Sequence, residues 1–243
     1  MLCCMAPIHR RPDTLAVGAL LAVVGGFLDA YTYVRHSVFA NLQSGNVLLF
    51  CVEATARHWR RAVLLLVPIA AFSAGVLLVE VLGLARVERL VRRPLRLVLT
   101  LQIAALSVIA ALPADVPEPV TTITVSFVAA LQFSTFTTLR DAPYTTLAES
   151  GNLQKALAAA HRWMASREAA AARRAGRYAL IVAAFVAGAA IGAITTRLAG
   201  APAVGAAAGL LAAVLLLEIR ETRRLRRRGP APRPSSDPPS PGR

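Results

Sequence analysis

The chain has 243 residues, 56% of them apolar and only 16% charged, with a mean hydropathy of +0.56. A soluble domain carries about 25% charge, so this composition excludes disorder over most of the chain and argues against a soluble globule. The formal net charge is +14, but the basic residues stand between apolar runs and in the C-terminal tail. No aromatics interleave them on a folded face, so they point to a lipid bilayer with anionic headgroups and away from nucleic acid.

A helix needs about 20 apolar residues to cross the hydrocarbon core. Taken in chain order, the sequence predicts six such spans, at residues 15–34, 62–85, 95–112, 120–139, 178–196 and 201–217. Backbone in lipid must satisfy its own hydrogen bonds, so the spans are helices and the fold class is all-α. The first run follows Arg10 and Arg11 as a signal peptide would. It is too long for an h-region, however, and no small-residue cleavage site follows, so it reads as a retained span. Pro68 lies deep enough to kink the second span, whereas Pro202 lies in a first turn where its missing N–H costs little. The Ala-rich, basic stretch 153–177 reads as a helix lying on the headgroups.

With six spans, 22 of the 27 Lys and Arg residues fall on one side of the membrane and five on the other. The positive-inside rule then places both termini in the cytoplasm. Residues 1–14 form a basic amino tail and residues 220–243 an Arg- and Pro-rich tail that cannot bury a core and reads as disordered.

Two stretches echo each other. Leu28-Asp29-Ala30-Tyr31-Thr32 precedes Ser44-Gly45-Asn46, and Leu131-Gln132-Phe133-Ser134-Thr135 precedes Ser150-Gly151-Asn152. Each tripeptide has one span before it and two after it. This divides the chain into three-helix repeats at residues 15–113 and 114–219. Three spans per repeat is an odd number, so the second repeat enters the membrane inverted, an architecture used by many secondary transporters.

Asp29 is an ionisable group inside a span, and such groups usually face a cavity or a partner. A proton-titrating or cation-attracting role competes with a carboxylate merely held by nearby hydroxyls or by Arg35. Ser44 and Ser150 fit helix N-caps, whose free N–H groups attract anions or carbonyl oxygens. The following run 47–52 suits a short re-entrant or interfacial helix. Asn41, Ser44, Gly45, Asn46, Gln132, Ser150, Gly151 and Asn152 complete, with Asp29, the candidate substrate-binding set. Gln102 and Gln132 can also hydrogen-bond between helices. The Gly188/Gly192 and Gly205/Gly209 pairs suit close packing of the fifth span on the sixth. Cys3, Cys4 and Cys51 are odd in number and form no CxxC, and the four histidines are scattered. No metal, cofactor or catalytic motif is present, so an enzyme is not expected.

The segment 26–33 with 38–46, and Pro143-Tyr144-Thr145-Thr146 ahead of Ser150-Gly151-Asn152, resemble the YoaK-type family of bacterial membrane proteins. The family's Thr-Gly-Asn reads Ser44-Gly45-Asn46 here, which keeps the hydroxyl, and its second-half Gln-Asn reads Gln132-Phe133. The resemblance covers about residues 14 to 219 and implies a multi-pass protein of the bacterial inner membrane, with no established reaction or cofactor. The functional reading is a permease for a small-molecule solute, with its site between the repeats. The alternative is a non-transporting scaffold or regulatory subunit docking through the basic cytoplasmic face. Either reading admits a homo-oligomer.

Overall fold

The computed structural model describes residues 13–84, 93–113, 116–139, 142–145 and 149–227. They form eight α-helices and one two-stranded hairpin. The helices are α1 (Leu15–His36), α2 (Gln43–Thr55), α3 (Trp59–Leu82), α4 (Pro94–Ala111), α5 (Glu118–Thr135), α6 (Glu149–Ser166), α7 (Ala169–Ala199) and α8 (Gly205–Arg227). The hairpin pairs β1 (Thr138–Leu139) with β2 (Ala142–Pro143), and a 3-10 turn, Ala201–Val204, leads into α8. The expectations for Cys3, Cys4 and most of both tails lie outside the described residues.

Local sequence accounts for the ends of α1. The Thr14 hydroxyl accepts from the Val17 N–H at 3.3 Å and caps the first turn. Ser37 takes a left-handed φ of 57° and returns its N–H to the Tyr33 carbonyl, which closes the last turn. Twelve of the 22 residues of α1 are buried, so it is the central helix of the bundle. Its Val17, Leu21, Val24, Phe27 and Leu28 join Leu106 of α4, Val128 of α5 and Leu211 of α8 in the main core.

Among the described residues five helical segments are long and apolar enough to cross a membrane: α1, α3, α4, α7 and the stretch Ala201–Arg224. With them the chain is a polytopic helical membrane protein. The helix α5 is not among the five, although the sequence predicts a span at 120–139. It ends at Thr135, and its hydroxyl-bearing residues Thr121, Thr122, Ser126 and Thr135 are buried inside the bundle.

Two other expectations change. The surface helix read over 153–177 is broken: α6 ends at Ser166, Arg167 adopts a left-handed φ of 56°, and residues 169–177 belong to the foot of α7. Residues 220–227, read as disordered tail, continue α8. Pro68 sits within a continuous α3.

The glycine seam also differs from the sequence reading. Gly188 and Gly192 of α7 do not face α8; they face α1. A Cβ at Gly188 would stand 2.0 Å from the Val23 carbonyl oxygen, and one at Gly192 2.7 Å from that of Phe27. Gly26 of α1 returns the approach, with the Phe185 carbonyl oxygen 2.1 Å from its would-be Cβ. Backbones this close gain dispersion that side chains would prevent, the usual force between helices in lipid. Gly205 meets Ala110 of α4, and Gly209 meets nothing within 4 Å.

Helix packing is reciprocal across the chain. The first long helix, α1, packs most extensively on α7, and α5 packs on α3. In the α3–α5 contact Gly75 does the work of Gly188, its would-be Cβ lying 2.9 Å from the Phe127 carbonyl oxygen. The pairs α2–α3 and α6–α7 match, as do α1–α8 and α4–α5, while α4 packs on α8.

A Gly188→Leu chain should therefore lose stability by at least the ~1–3 kcal/mol typical of overpacking. Gly209→Ala, with open space at its Cβ, should melt as the parent does. Thermal melting of the two purified variants, followed by size-exclusion chromatography, checks the contrast.

Candidate functional site

The loop after α1 does not run out along the surface. It turns back beside the middle of the helix, where the Asn41 N–H donates to Asp29 Oδ1 at 2.8 Å and Asn41 Nδ2 donates to the Gly25 carbonyl at 2.8 Å. Asp29, 8% exposed, is thus held by loop backbone, with the amides of Ala40 and Leu42 also turned to it. Among the described residues neither Arg35 nor a hydroxyl bonds Asp29: Thr32 Oγ1 bonds the carbonyls of its own helix. The carboxylate lies where the chain enters α2, so it meets the positive end of that helix.

From this point α2 runs for 13 residues, about 20 Å at ~1.5 Å per residue. Its far end delivers Arg57–Arg61 to the level of Arg35 and His36, at the end of α1. It is a half-length helix. The helix α6, at 18 residues, is as long as α4 and α5. It starts with Glu149 and Ser150 in a cavity shared with Asp29 and runs antiparallel to α7, sharing with it an apolar groove in which Leu153 and Trp163 face Ala172 and Val182.

The two Ser-Gly-Asn segments make the same hydrogen bonds. Asn46 Oδ1 accepts from the Phe39 N–H at 2.8 Å, and its Nδ2 donates to the Phe39 carbonyl at 2.7 Å and to Gln43 Oε1 at 2.9 Å. Asn152 Oδ1 accepts from the Thr145 N–H at 3.4 Å, and its Nδ2 donates to the Thr145 carbonyl at 2.6 Å and to Glu149 Oε2 at 3.2 Å. In each case the amide clamps the backbone seven residues back and the side chain three residues back. Both asparagines are fully buried.

This clamp corrects the capping role read for the serines. The helices start one residue earlier, at Gln43 and Glu149, and Leu42 precedes α2 without a side-chain cap. Ser44 is exposed and Ser150 borders the cavity. Gly45 packs under Phe39, whose ring would lie 2.9 Å from a Cβ, whereas Gly151 faces open space. Gln132 Nε2 donates to the Leu21 carbonyl at 2.9 Å, and Gln102 Nε2 to the Val128 carbonyl at 3.0 Å, so both bridge helices.

The cavity itself has a volume near 370 Å³. Asp29, Tyr33, Phe39 and Leu42 come from the first half of the chain, and Glu149, Ser150, Phe185 and Ala189 from the second. Of the sequence-predicted residues it unites Asp29 and Ser150. Asn41, Asn46 and Asn152 lie behind its wall, holding the segments that form it.

Sequence reasoning missed Glu149, whose Oε1 is buried without a hydrogen-bond partner among the described residues. Its position three residues before Asn152 matches Gln43 before Asn46, and that spacing was the available signal. It also missed Asp13 and Tyr144. The Tyr144 hydroxyl donates to Asp13 Oδ2 at 2.8 Å, and the Asp13 N–H donates to the Thr138 carbonyl at 2.7 Å. Burial first, then the adjacent Asp13 carboxylate, hold the Tyr144 phenol well above the usual tyrosine range, so it remains a donor. Nothing local in the sequence joins residues this far apart.

Replacing Asn46 or Asn152 by Ala should cost about 1–3 kcal/mol for each backbone group left unpaired. Asn46→Asp should be destabilised as well, despite equal size, because it cannot donate to Phe39 and Gln43. Melting temperatures in one detergent check both; an Asn46→Asp chain as stable as the parent would refute the clamp.

Among the described residues no group of His, Cys, Asp and Glu is arranged to hold a metal ion. No curated protein and no solved structure matches the chain. One family model, described as a protein of unknown function (DUF1275), matches residues 17–217. That match covers most of the chain, from the first turn of α1 through most of α8, and the chain belongs to this family of membrane proteins, to which the YoaK-type proteins also belong.

Proposed function

We propose that the protein is a permease for a small solute, and that the cavity between Asp29 and Glu149 is its central site. One observation carries the reading: carboxylates from the two halves of the chain line one cavity, with the 13-residue α2 starting beside Asp29 and α6 starting at Glu149. Discontinuous helices that begin beside a midplane cavity are how many transporters expose backbone N–H groups to a solute. Non-helical backbone is tolerated at that depth only where it lines a cavity or is buried in protein. A scaffold would have no use for such an opening.

In this reading the fold is two inverted repeats of three spans, with the Ser-Gly-Asn segments re-entering from opposite sides. The reciprocal packing of α1 on α7 and α5 on α3 supports the repeat, as do the matching clamps of Asn46 and Asn152. The sixth span is α5. Its 18 residues reach about 27 Å, close to the ~30 Å core, and Thr121, Thr122, Ser126 and Thr135 are buried inside the bundle, while the Thr124 hydroxyl bonds the Val120 carbonyl of its own helix. Both termini are cytoplasmic, the membrane is the bacterial inner membrane, and no chemical step is involved.

Moving parts follow from the packing. Because α1 is fastened to α7 and α3 to α5, the bodies that would rock are α1–α6–α7 and α2–α3–α5, each drawing helices from both repeats. The cavity is lined by α1, α6 and α7 of the first body and by the loop that leads into α2 of the second.

Flux is the direct test. Proteoliposomes loaded with a panel of radiolabelled organic acids, amino acids, sugars and ions should take up at least one of them, and Asp29→Asn or Ser150→Trp should reduce its uptake at least tenfold while the chain still melts normally. No uptake across the panel, with Asp29→Asn silent in cells, would end the proposal. Topology has its own test in a chain without Cys3, Cys4 and Cys51: single cysteines at positions 58 and 162 should react with impermeant maleimide from opposite sides of the membrane.

A further inference from the structure

The positive charge left on the sparse side of the membrane is not scattered. Five basic residues fall there by count, and four of them, Arg35, Arg57, Arg60 and Arg61, line one cavity of about 870 Å³. It lies at the C-terminal end of α1, between α1, the α2–α3 turn and the start of α5. His36 and His58 share the wall, and Glu118 is the one acidic residue on it. Like charges gathered this closely repel, so without a counter-ion the arrangement raises the energy of the folded chain.

Intramolecular pairing answers only part of that repulsion. Glu53 binds Arg61 Nε at 3.1 Å and His58 Nδ1 at 2.8 Å. The side chains of Arg57 and Arg60 have no hydrogen bond or ion pair among the described residues, and His36 Nε2 is buried without a partner. The turn is a usual helix C-terminus, with the His58 N–H on the Glu53 carbonyl at 2.9 Å and the Arg57 N–H on that of Ala54 at 3.0 Å. Arg57 holds a left-handed φ of 62°, a conformation that non-glycine residues adopt at about 1–2 kcal/mol.

We infer that this cavity is an oxyanion-binding site, taking a small multivalent carboxylate or phosphate between the guanidinium groups of Arg57, Arg60 and Arg35. Guanidinium forks match carboxylate and phosphate oxygens two at a time, which a point charge cannot do. The volume exceeds what one phosphate needs and fits a small organic acid or a lipid phosphate headgroup. The site borders the central cavity: Val38 lines the one and Phe39 the other. It stands whether or not the chain transports anything, since its readout is binding.

Full-length protein in phosphatidylcholine nanodiscs, titrated calorimetrically with citrate and with inorganic phosphate, tests a soluble ligand. Native mass spectrometry of protein prepared with phosphatidylglycerol tests a lipid one. The double variant R57Q/R60Q, altering two exposed side chains, should weaken whichever ligand binds at least tenfold and, with the repulsion relieved, should not lower the melting temperature of the unliganded protein. R197Q, the remaining basic residue of that side, should bind as the parent does. Citrate or phosphate binding lost in R57Q/R60Q identifies a free solute, and phosphatidylglycerol retention lost in R57Q/R60Q identifies a lipid. Absence of binding in both arms, or binding that R57Q/R60Q leaves intact, overturns the site.

Discussion

A chain that turns back among packed helices must bond its own turn, because buried backbone has no water to bond it. This structure solves the problem twice with one asparagine each time. Asn46 and Asn152 occupy both polar groups of a residue seven positions back, and so let the backbone stop and restart a helix beside the middle of α1. Asp29 then serves two ends. It takes the loop N–H of Asn41, and it borders the cavity that the two restarted helices open. Without the clamps α2 and α6 would have no fixed starting point, and the cavity no walls.

Close backbone approach does the rest of the positioning. Gly26, Gly188 and Gly192 bring α1 and α7 together so tightly that carbonyl oxygens take the places side chains would fill, and Gly75 does the same for α3 and α5. These seams set the distance between Asp29 on α1 and Phe185 and Ala189 on α7, which share a cavity wall.

Much of the fold was legible because lipid imposes so simple a rule on composition. The first, second and third spans fall within a few residues of their helices, since uninterrupted apolar runs admit no other reading. The fourth was less legible. Thr121, Ser126 and Gln132 lower its hydropathy, and they do so because α5 faces protein. Gly188 and Gly192 announced a close contact but could not name the partner, which a spacing never encodes. Asp29 and the two tripeptides were visible as oddities of chemistry and order. The asparagines' clamp was not, because it depends on where Phe39 and Thr145 return in space. Glu149 was hidden by its ordinary setting at the head of a polar, basic stretch, and the Asp13–Tyr144 bond by the 131 residues that separate its ends.

The exchanged packing of long helices bears on how such a chain is made. The surface of α1 that carries Gly26 is complementary to a helix that does not begin until Ala169. When α1 leaves the ribosome and enters the bilayer, its mate has yet to be translated. The same is true in reverse for α5, whose mate α3 is already waiting. The seam that α1 offers therefore stays open in the membrane until the seventh helix arrives to close it.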